Sequence, residues 1–382
     1  MSALTKGHVT AAIVGSAAGA LFYNLLPMYL GMAQEYRGYD NVAIGIIGFA
    51  FFLGFNLATS SAYFWIRRVN WRVTSVIAAP LAAAGMSSVV LFPGFTFLLI
   101  SVCIAGAAFS IIYGICATVL SESTDPARWY GAKIAAETLS GAILFLILPS
   151  LVLAQFGFDG LVVALGTCVL ISIPFLMRLP DSGDFFREIT PIDVDLTQGK
   201  KSAIFLMLVA ILLWFCGQTV LWTFVERIGA HAGLSTGSIG LVLAITLVTA
   251  TAGSLTSMWA SDRWGNFAPF YLASLLFLGS APMLLTELQF LSYLLSAGIV
   301  MYSVGLGVPY CYSIIADLDF DGRYSVLTVP AVGLGAMVAP VVAGFLVTEG
   351  DFTKMIFAAC ALVVTAMLLA RRSQKIGSVS SA

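Results

Sequence analysis

The sequence predicts an all-α polytopic membrane protein with twelve transmembrane helices in two bundles of six. Three observations predict it. First, the 382 residues are 60% hydrophobic and 10% charged, with a mean hydropathy of +0.99. A soluble chain carries about a quarter charged residues, so this one lacks the polar surface that water requires, and its solvent is lipid. Second, a spanning helix needs about 20 mostly apolar residues, and twelve such runs occur: 9–32, 43–66, 73–93, 95–120, 131–154, 160–178, 202–226, 236–260, 268–286, 289–315, 324–348 and 353–370. Third, the connections are short except at 181–201, a polar, charged linker that divides the runs six and six. The domains therefore read as 1–180, a linker at 181–201, and 202–382.

The first run is expected to be an uncleaved helix. The segment before it, MSALTKGH, is short, and the run extends well past a signal peptide's apolar region, although SAAGA (16–20) has the look of a cleavage site. Orientation follows from lysine and arginine, which favour cytoplasmic loops. With the N-terminus inside, the inner segments hold 15 of the 18 basic residues, and the outer loops hold only Arg37, Arg227 and Lys354. Both termini are therefore expected in the cytoplasm, in a plasma (bacterial inner) membrane. Five of the seven tryptophans, Trp65, Trp71, Trp129, Trp259 and Trp264, fall at the cytoplasmic ends of spans, where an indole sits in the headgroup layer. The halves echo each other: SESTDPARWYGAKIAAETLSGAILFLILP (121–149) and IADLDFDGRYSVLTVPAVGLGAMVAP (315–340) each run from an acidic turn through an Arg-aromatic step and a glycine-rich middle to a late proline. Repeated halves are the usual build of secondary transporters.

Charge inside a span is costly and usually functional. Glu137 stands about two turns into the fifth run. It reads either as a protonatable coupling site or as a structural acid paired with Lys133 one turn back. On the seventh run Trp214, Gln218, Trp222 and Glu226 recur every fourth residue and share a helix face; Glu226, with Arg227, reads as a solvated pair at the outer interface. Arg67, Arg68 and Arg72 make the loop after the second run basic. They read equally as topological charge or as partners of the carboxylates Asp317, Asp319 and Asp321.

Other chemistry finds no footing. The six cysteines form no CxxC pair, and the two histidines, His8 and His231, lie near membrane edges. Neither a metal site nor a cofactor is indicated, and no HExxH, P-loop or GxSxG motif suggests an enzyme. The net charge of -1 excludes a basic nucleic-acid footprint.

The loop between the eighth and ninth runs reads WASDRWGNF (259–267). Its S-D-R-W-G step resembles the Asp-Arg-x-Gly core of the loop motif of the major facilitator superfamily. Asp262, Arg263 and Gly265 match; Met258 and Asn266 replace the motif's first glycine and a basic residue. The copy after the second run, YFWIRRVNWR (63–72), keeps the basic residues without the aspartate. The resemblance implies a gating latch in which Asp262 accepts the free N–H groups at the start of the fifth helix, near Tyr130 and Gly131, and Gly265 allows the turn. The alternative is a solvated interfacial turn. GAMVAPVVAG (335–344) resembles the family's helix-packing motif, with Ala339 and Ala343 in place of two glycines. The fifth run, where drug antiporters carry that motif, has no Gly-Pro step.

The resemblance further implies a cavity lined by helices 1, 4, 7 and 10. Those helices offer Tyr23 and Asn24, Tyr113, Trp214, Gln218 and Trp222, and Tyr302 and Tyr310; the alternative for Asn24 and Gln218 is hydrogen-bonded glue between helices. No arginine stands at mid-span on those four helices. The function expected is secondary active transport of a small neutral or amphipathic solute, an aromatic one included, by alternating access with proton coupling. The partners expected are that solute, protons and the bilayer, for a monomer that binds no nucleic acid. The competing expectations are a transport-silent receptor or assembly factor on the same scaffold, or an efflux antiporter.

Overall fold

The computed structural model describes residues 5–379 apart from 93, 123–125, 183–197, 261, 262, 264, 287, 320–323, 325, 326 and 349. Among these residues the twelve runs are twelve long helices: α1 (Lys6–Arg37), α2 (Asn41–Trp65), α3 (Trp71–Ser87), α4 (Phe95–Ser121), α5 (Pro126–Leu148), α6 (Ala154–Ile171), α7 (Gln198–His231), α8 (Thr236–Ala260), α9 (Phe267–Ser280), α10 (Phe290–Leu318), α11 (Thr328–Leu346) and α12 (Thr353–Val379). They make eleven apolar segments long enough to cross a membrane, because the fifth and sixth runs join in one segment, Trp129–Leu176. The loop expected between them is replaced by a π-helical turn, Pro149–Leu153, and by Gly157, whose φ of 57° and ψ of -149° break the helical path. Most of the linker expected at 181–201 lies outside the described residues.

The chain divides into two compact units, Met1–Arg187 and Glu188–Ala382. In the first, α1 packs against α4, α5 and α6, while α2 and α3 pack on α4. The starts of its helices are set by side chains that satisfy free backbone N–H groups. Thr5 accepts from the His8 N–H at 3.3 Å, Asp40 from Ala43 at 2.7 Å, and Asn70 from Val73 at 2.9 Å. The core is aromatic: Phe22 lies 4.4 Å from Phe51 and 4.8 Å from Tyr29, which in turn meets Phe158 at 5.1 Å between ring centroids. In the second unit α7 packs against α10, α11 and α12, and α10 packs on α8 and α9. In both units large apolar side chains such as Leu57, Phe64, Phe205 and Leu255 stand exposed, as a lipid-facing surface requires.

Glycine sets the closest approach in each unit. A Cβ on Gly54 would fall on the Cys103 carbonyl, and one on Gly106 on the Phe51 carbonyl, so α2 and α4 touch backbone to backbone. In the second unit Gly253 meets the Tyr302 carbonyl and Gly305 the Ala250 carbonyl, which joins α8 to α10 in the same way. Small residues at such contacts let helices associate in lipid, where no hydrophobic drive holds them.

The basic loop after α2 is tied within its own unit. Arg72 donates from Nε to the Leu179 carbonyl at 2.9 Å and lies 3.4 Å from Asp181, to which Asn70 also donates at 3.1 Å. The loop thus holds the chain just after α6, within its own unit. In the second unit Asp317 accepts from the amide of Asn266.

Candidate functional site

The first unit gathers its polar side chains at one place, and the packing of α1 explains why. Gly15 and Gly19 are one turn apart. A Cβ at Gly19 would lie 2.9 Å from the Tyr113 backbone N, and one at Gly15 would lie 2.6 Å from Cys116 Sγ. The absence of side chains there lets α4 close on α1. Ser16, next on α1, donates from Oγ to Glu137 Oε1 at 2.6 Å. Asn24, two turns further, donates from Nδ2 to the Glu137 carbonyl at 3.0 Å. Lys133 Nζ lies 2.6 Å from the same carboxylate, one helical turn back on α5, and 3.9 Å from the centroid of the Tyr113 ring. Lys133 is 3% exposed and Glu137 9%. The carboxylate therefore has a cation and a hydroxyl as its partners, away from water.

The pair touches α1 through Ser16 and α4 through Tyr113, but the ion-pair attraction itself does not run between helices. Lys133 and Glu137 belong to the same helix at i and i+4, so their attraction holds nothing to α1 or α4. Apolar residues in place of a buried pair are often neutral or stabilising by about 1–4 kcal/mol. Packing alone gives no reason for the charges.

Tyr113 stands in this cluster as the face beneath Lys133. Tyr23 lies nearby on α1, its ring edge-on to Phe52 at 5.9 Å. Neither Ser16 nor the glycine pair was singled out from the sequence; the G-x-x-x-G spacing in VGSAAGA is the signal that points to them.

In the second unit the residues singled out on α7 sit among helices. Trp214 is fully buried; its Nε1 donates to Ser274 Oγ at 3.1 Å, and its ring edge lies 2.7 Å from where a Cβ on Gly307 would be. Trp222 is buried too. Gln218 is 3% exposed; its Nε2 reaches Ser303 Oγ at 3.5 Å, and its Oε1 is buried with no hydrogen-bond partner among the described residues. Tyr302 donates to Thr256 Oγ1 at 2.8 Å and Tyr310 to the Ser257 carbonyl at 3.0 Å, both linking α10 to α8. Glu226, expected to be solvated, is buried at 3% exposure instead. It sits on α7 above a span whose end runs on to His231, so the helix is longer than its apolar run and the glutamate lies within it.

Of the latch residues, Asp262 lies outside the described residues. Arg263 lies over the Trp259 ring at 4.3 Å. Gly265 has φ of 62°, the left-handed conformation that a turn takes from glycine at little cost. A further cavity of about 430 Å³, lined by His231, Leu284, Thr286, Asp351 and Phe352 among others, opens where α7 ends.

A family model described as Major Facilitator Superfamily matches residues 11–322. No curated protein sequence matches. Among solved structures the chain is similar to a point mutant of the nucleoside transporter NupG, with a TM-score of 0.75 and 12% identity over 97% of this chain and 100% of that one. It is similar to a D-xylose-proton symporter, with a TM-score of 0.74 and 14% identity over 95% and 96%. It also resembles a bacterial homolog of the human lysosomal transporter Spinster, with a TM-score of 0.64 and 11% identity over 98% and 95%.

Proposed function

This chain belongs to the Major Facilitator Superfamily, and from that premise we propose that it carries a small organic solute across the membrane by alternating access, coupled to protons at Glu137. It is a multi-pass membrane transporter and not an enzyme. The coupling residue and the nature of the solute are the finer reading, and one observation carries them. An ion pair, Lys133–Glu137, is buried on a single helix, with the Ser16 hydroxyl of a second helix on its carboxylate and the Asn24 amide of that helix on the Glu137 backbone carbonyl. Ionisable groups at membrane depth mark proton and substrate paths. Gln218, with its unpartnered amide oxygen, is the polar contact proposed in the second unit. The bacterial inner membrane and the monomeric state remain part of the same proposal.

The test uses purified protein in proteoliposomes with a pH-sensitive dye inside and a panel of candidate solutes outside. Wild type should give solute-dependent proton flux. Glu137→Gln should abolish gradient-driven accumulation while solute exchange survives, because exchange needs no net proton movement. If both activities vanish, or neither does, Glu137 is not the coupling residue. If solute crosses in wild type without proton flux, the coupling falls; if no solute crosses at all, the transport-silent receptor on the same scaffold becomes the better reading.

A further inference from the structure

We propose that the solute is a monoanion, and that its acid group takes the place of the Glu137 carboxylate on Lys133 when Glu137 takes up a proton. The inference rests on the transporter reading above and names its substrate class. Its starting point is charge balance. Lys133 Nζ and Glu137 Oε1 form a neutral pair at 2.6 Å, both side chains withdrawn from solvent. The groups that face the pair from every helix packed on it are few. On α5 they are Lys133, Glu137 and Tyr130, whose hydroxyl is committed to the Ala117 carbonyl at 2.9 Å. On α1 they are Ser16 and Asn24, and on α4 Tyr113 and Cys116. Between Val9 and Gln34 of α1, and throughout α4, the sequence has no charged residue. The pair therefore has no reserve charge on α1 or α4.

Protonation of Glu137 removes the anion paired with Lys133. The ammonium is then left with the face of Tyr113, and a cation–π contact recovers only part of what a buried charge costs. The deficit is one negative charge, at a point where the Ser16 hydroxyl, released from the carboxylate, can also donate. A carboxylate or sulfonate on the solute supplies that charge at ordinary charge-assisted hydrogen-bond distance from Nζ. A dianion would bring a second charge, for which neither α4 nor the stretch of α1 between Val9 and Gln34 holds a cation, and a neutral solute would leave Lys133 unpaired. Proton and anion therefore bind together, each raising the affinity for the other by the same factor. No bond other than the O–H of Glu137 forms or breaks. The loaded site, with one proton and one anion added to a neutral pair, is again neutral, so the translocation step moves no net charge and membrane potential does not drive it.

The test uses benzenesulfonate, which stays a monoanion across the working range so that any proton taken up belongs to the protein, with benzamide as its neutral analogue. Titration calorimetry on the full-length protein in detergent, in buffers of different ionisation heat, counts the protons. Wild type should bind benzenesulfonate with uptake of about one proton, and with affinity rising about tenfold per unit fall in pH; benzamide should show neither. Glu137→Gln should bind the anion with no proton uptake and no pH dependence. Lys133→Gln should bind it at least about tenfold more weakly, and Lys133→Gln/Glu137→Gln, which keeps the cluster uncharged and so guards against misfolding, should do the same. Wild-type binding without proton uptake, or equal binding by the Lys133→Gln variants, overturns the proposal. Proteoliposomes separate its failure from that of the transporter reading. Proton-coupled binding with no accumulation of labelled benzenesulfonate keeps the anion site and refutes transport. Accumulation of a neutral solute that survives Lys133→Gln refutes the anion site and keeps transport. Accumulation of the anion that changes when valinomycin and potassium clamp the potential refutes the charge balance argued here.

Discussion

Removing the indole of Trp214 is expected to weaken the second unit and not to unseat a solute. The side chain is fully buried, with Phe215 and Phe270 at 5.5 and 5.9 Å between ring centroids and its N–H on Ser274. Truncating a buried tryptophan to alanine costs about 3–5 kcal/mol. Ser274 is not orphaned by the change, since its hydroxyl also donates to the Phe270 carbonyl at 2.8 Å. For a unit of this size about 2–4 °C of melting temperature accompany each kcal/mol, so Trp214→Ala should melt roughly 6–20 °C lower. Gly307 sharpens the test. A Cβ there would lie 2.7 Å from the Trp214 ring, so Gly307→Ala alone should cost about 1–3 kcal/mol through overpacking. With the indole gone the clash is gone, and alanine in a helix is favoured over glycine by up to about 1 kcal/mol. In the Trp214→Ala background the same substitution should therefore be neutral or stabilising. A thermal melt of the four purified proteins in detergent reads this coupling directly. Additive effects, or a Trp214→Ala variant that melts like wild type and loses solute, would refute the packing argument and return Trp214 to the solute's path.

Other residues give equally definite expectations. Gly157→Ala should lose about 1–3 kcal/mol, because φ of 57° with ψ of -149° is a region close to glycine-only; its Cβ would also meet Tyr36 Cε1 at 2.8 Å. A melt that stays depressed in a Tyr36→Ala background assigns the loss to the backbone, while a wild-type melt for Gly157→Ala removes the strain altogether. Gly305→Leu should separate α8 from α10, as its side chain would start on the Ala250 carbonyl, and the variant should yield little folded protein; normal yield with an unchanged melt would show that the two backbones are not in contact. Asp262→Asn is expected to shift the population toward the inward-open state by roughly 0.3–2 kcal/mol, the scale of a charge at a helix terminus. Cysteine labelling from the cytoplasmic side reads it, and unchanged labelling would leave Asp262 as a topological charge.

The spans were legible in the sequence because lipid demands long apolar runs, and those runs sit where the helices are. The faces of those helices were not. In water a helix is apolar on one side and polar on the other, and the period tells which side is buried. Here the outward face is apolar as well, so nothing in the pattern separates Trp214, packed inside, from Leu57 or Phe205, turned outward. Depth along the helix was readable and direction around it was not. That is why Glu226 read as a solvated residue. The join of α5 to α6 escaped for a different reason: a glycine with positive φ continues a chain path that glycine content alone does not announce. Of the polar cluster, the i,i+4 relation of Lys133 and Glu137 was legible because it is local. Ser16 and Asn24, more than 100 residues away in sequence, could be joined to it only by the fold.

The two units also show where a repeat keeps its residues and where it lets them go. Gly54 and Gly253 are 199 positions apart, and so are Gly106 and Gly305, and each pair does the same work between two helices of its own unit. Backbone contact leaves no choice of residue, so the glycines persist. At that same spacing Gly15 and Gly19 of α1 correspond to Trp214 and Gln218 of α7, while Ser16, Lys133 and Glu137 correspond to Phe215, Val332 and Ala336. The volume has been exchanged between neighbours: α1 is small where Cys116 and Tyr113 press on it, and α7 is large where Gly307 makes room. In the first unit that exchange lets α4 close on α1, and the polar groups of α1 and α5 meet beside Tyr113. In the second the indole fills the corresponding place and apolar residues replace the charges. One scaffold thus carries a charged cluster in one half and a filled core in the other. On this reading, transplanting Lys133 and Glu137 alone to positions 332 and 336 would not create a second such cluster, because Trp214 occupies the room that the glycines of α1 leave open.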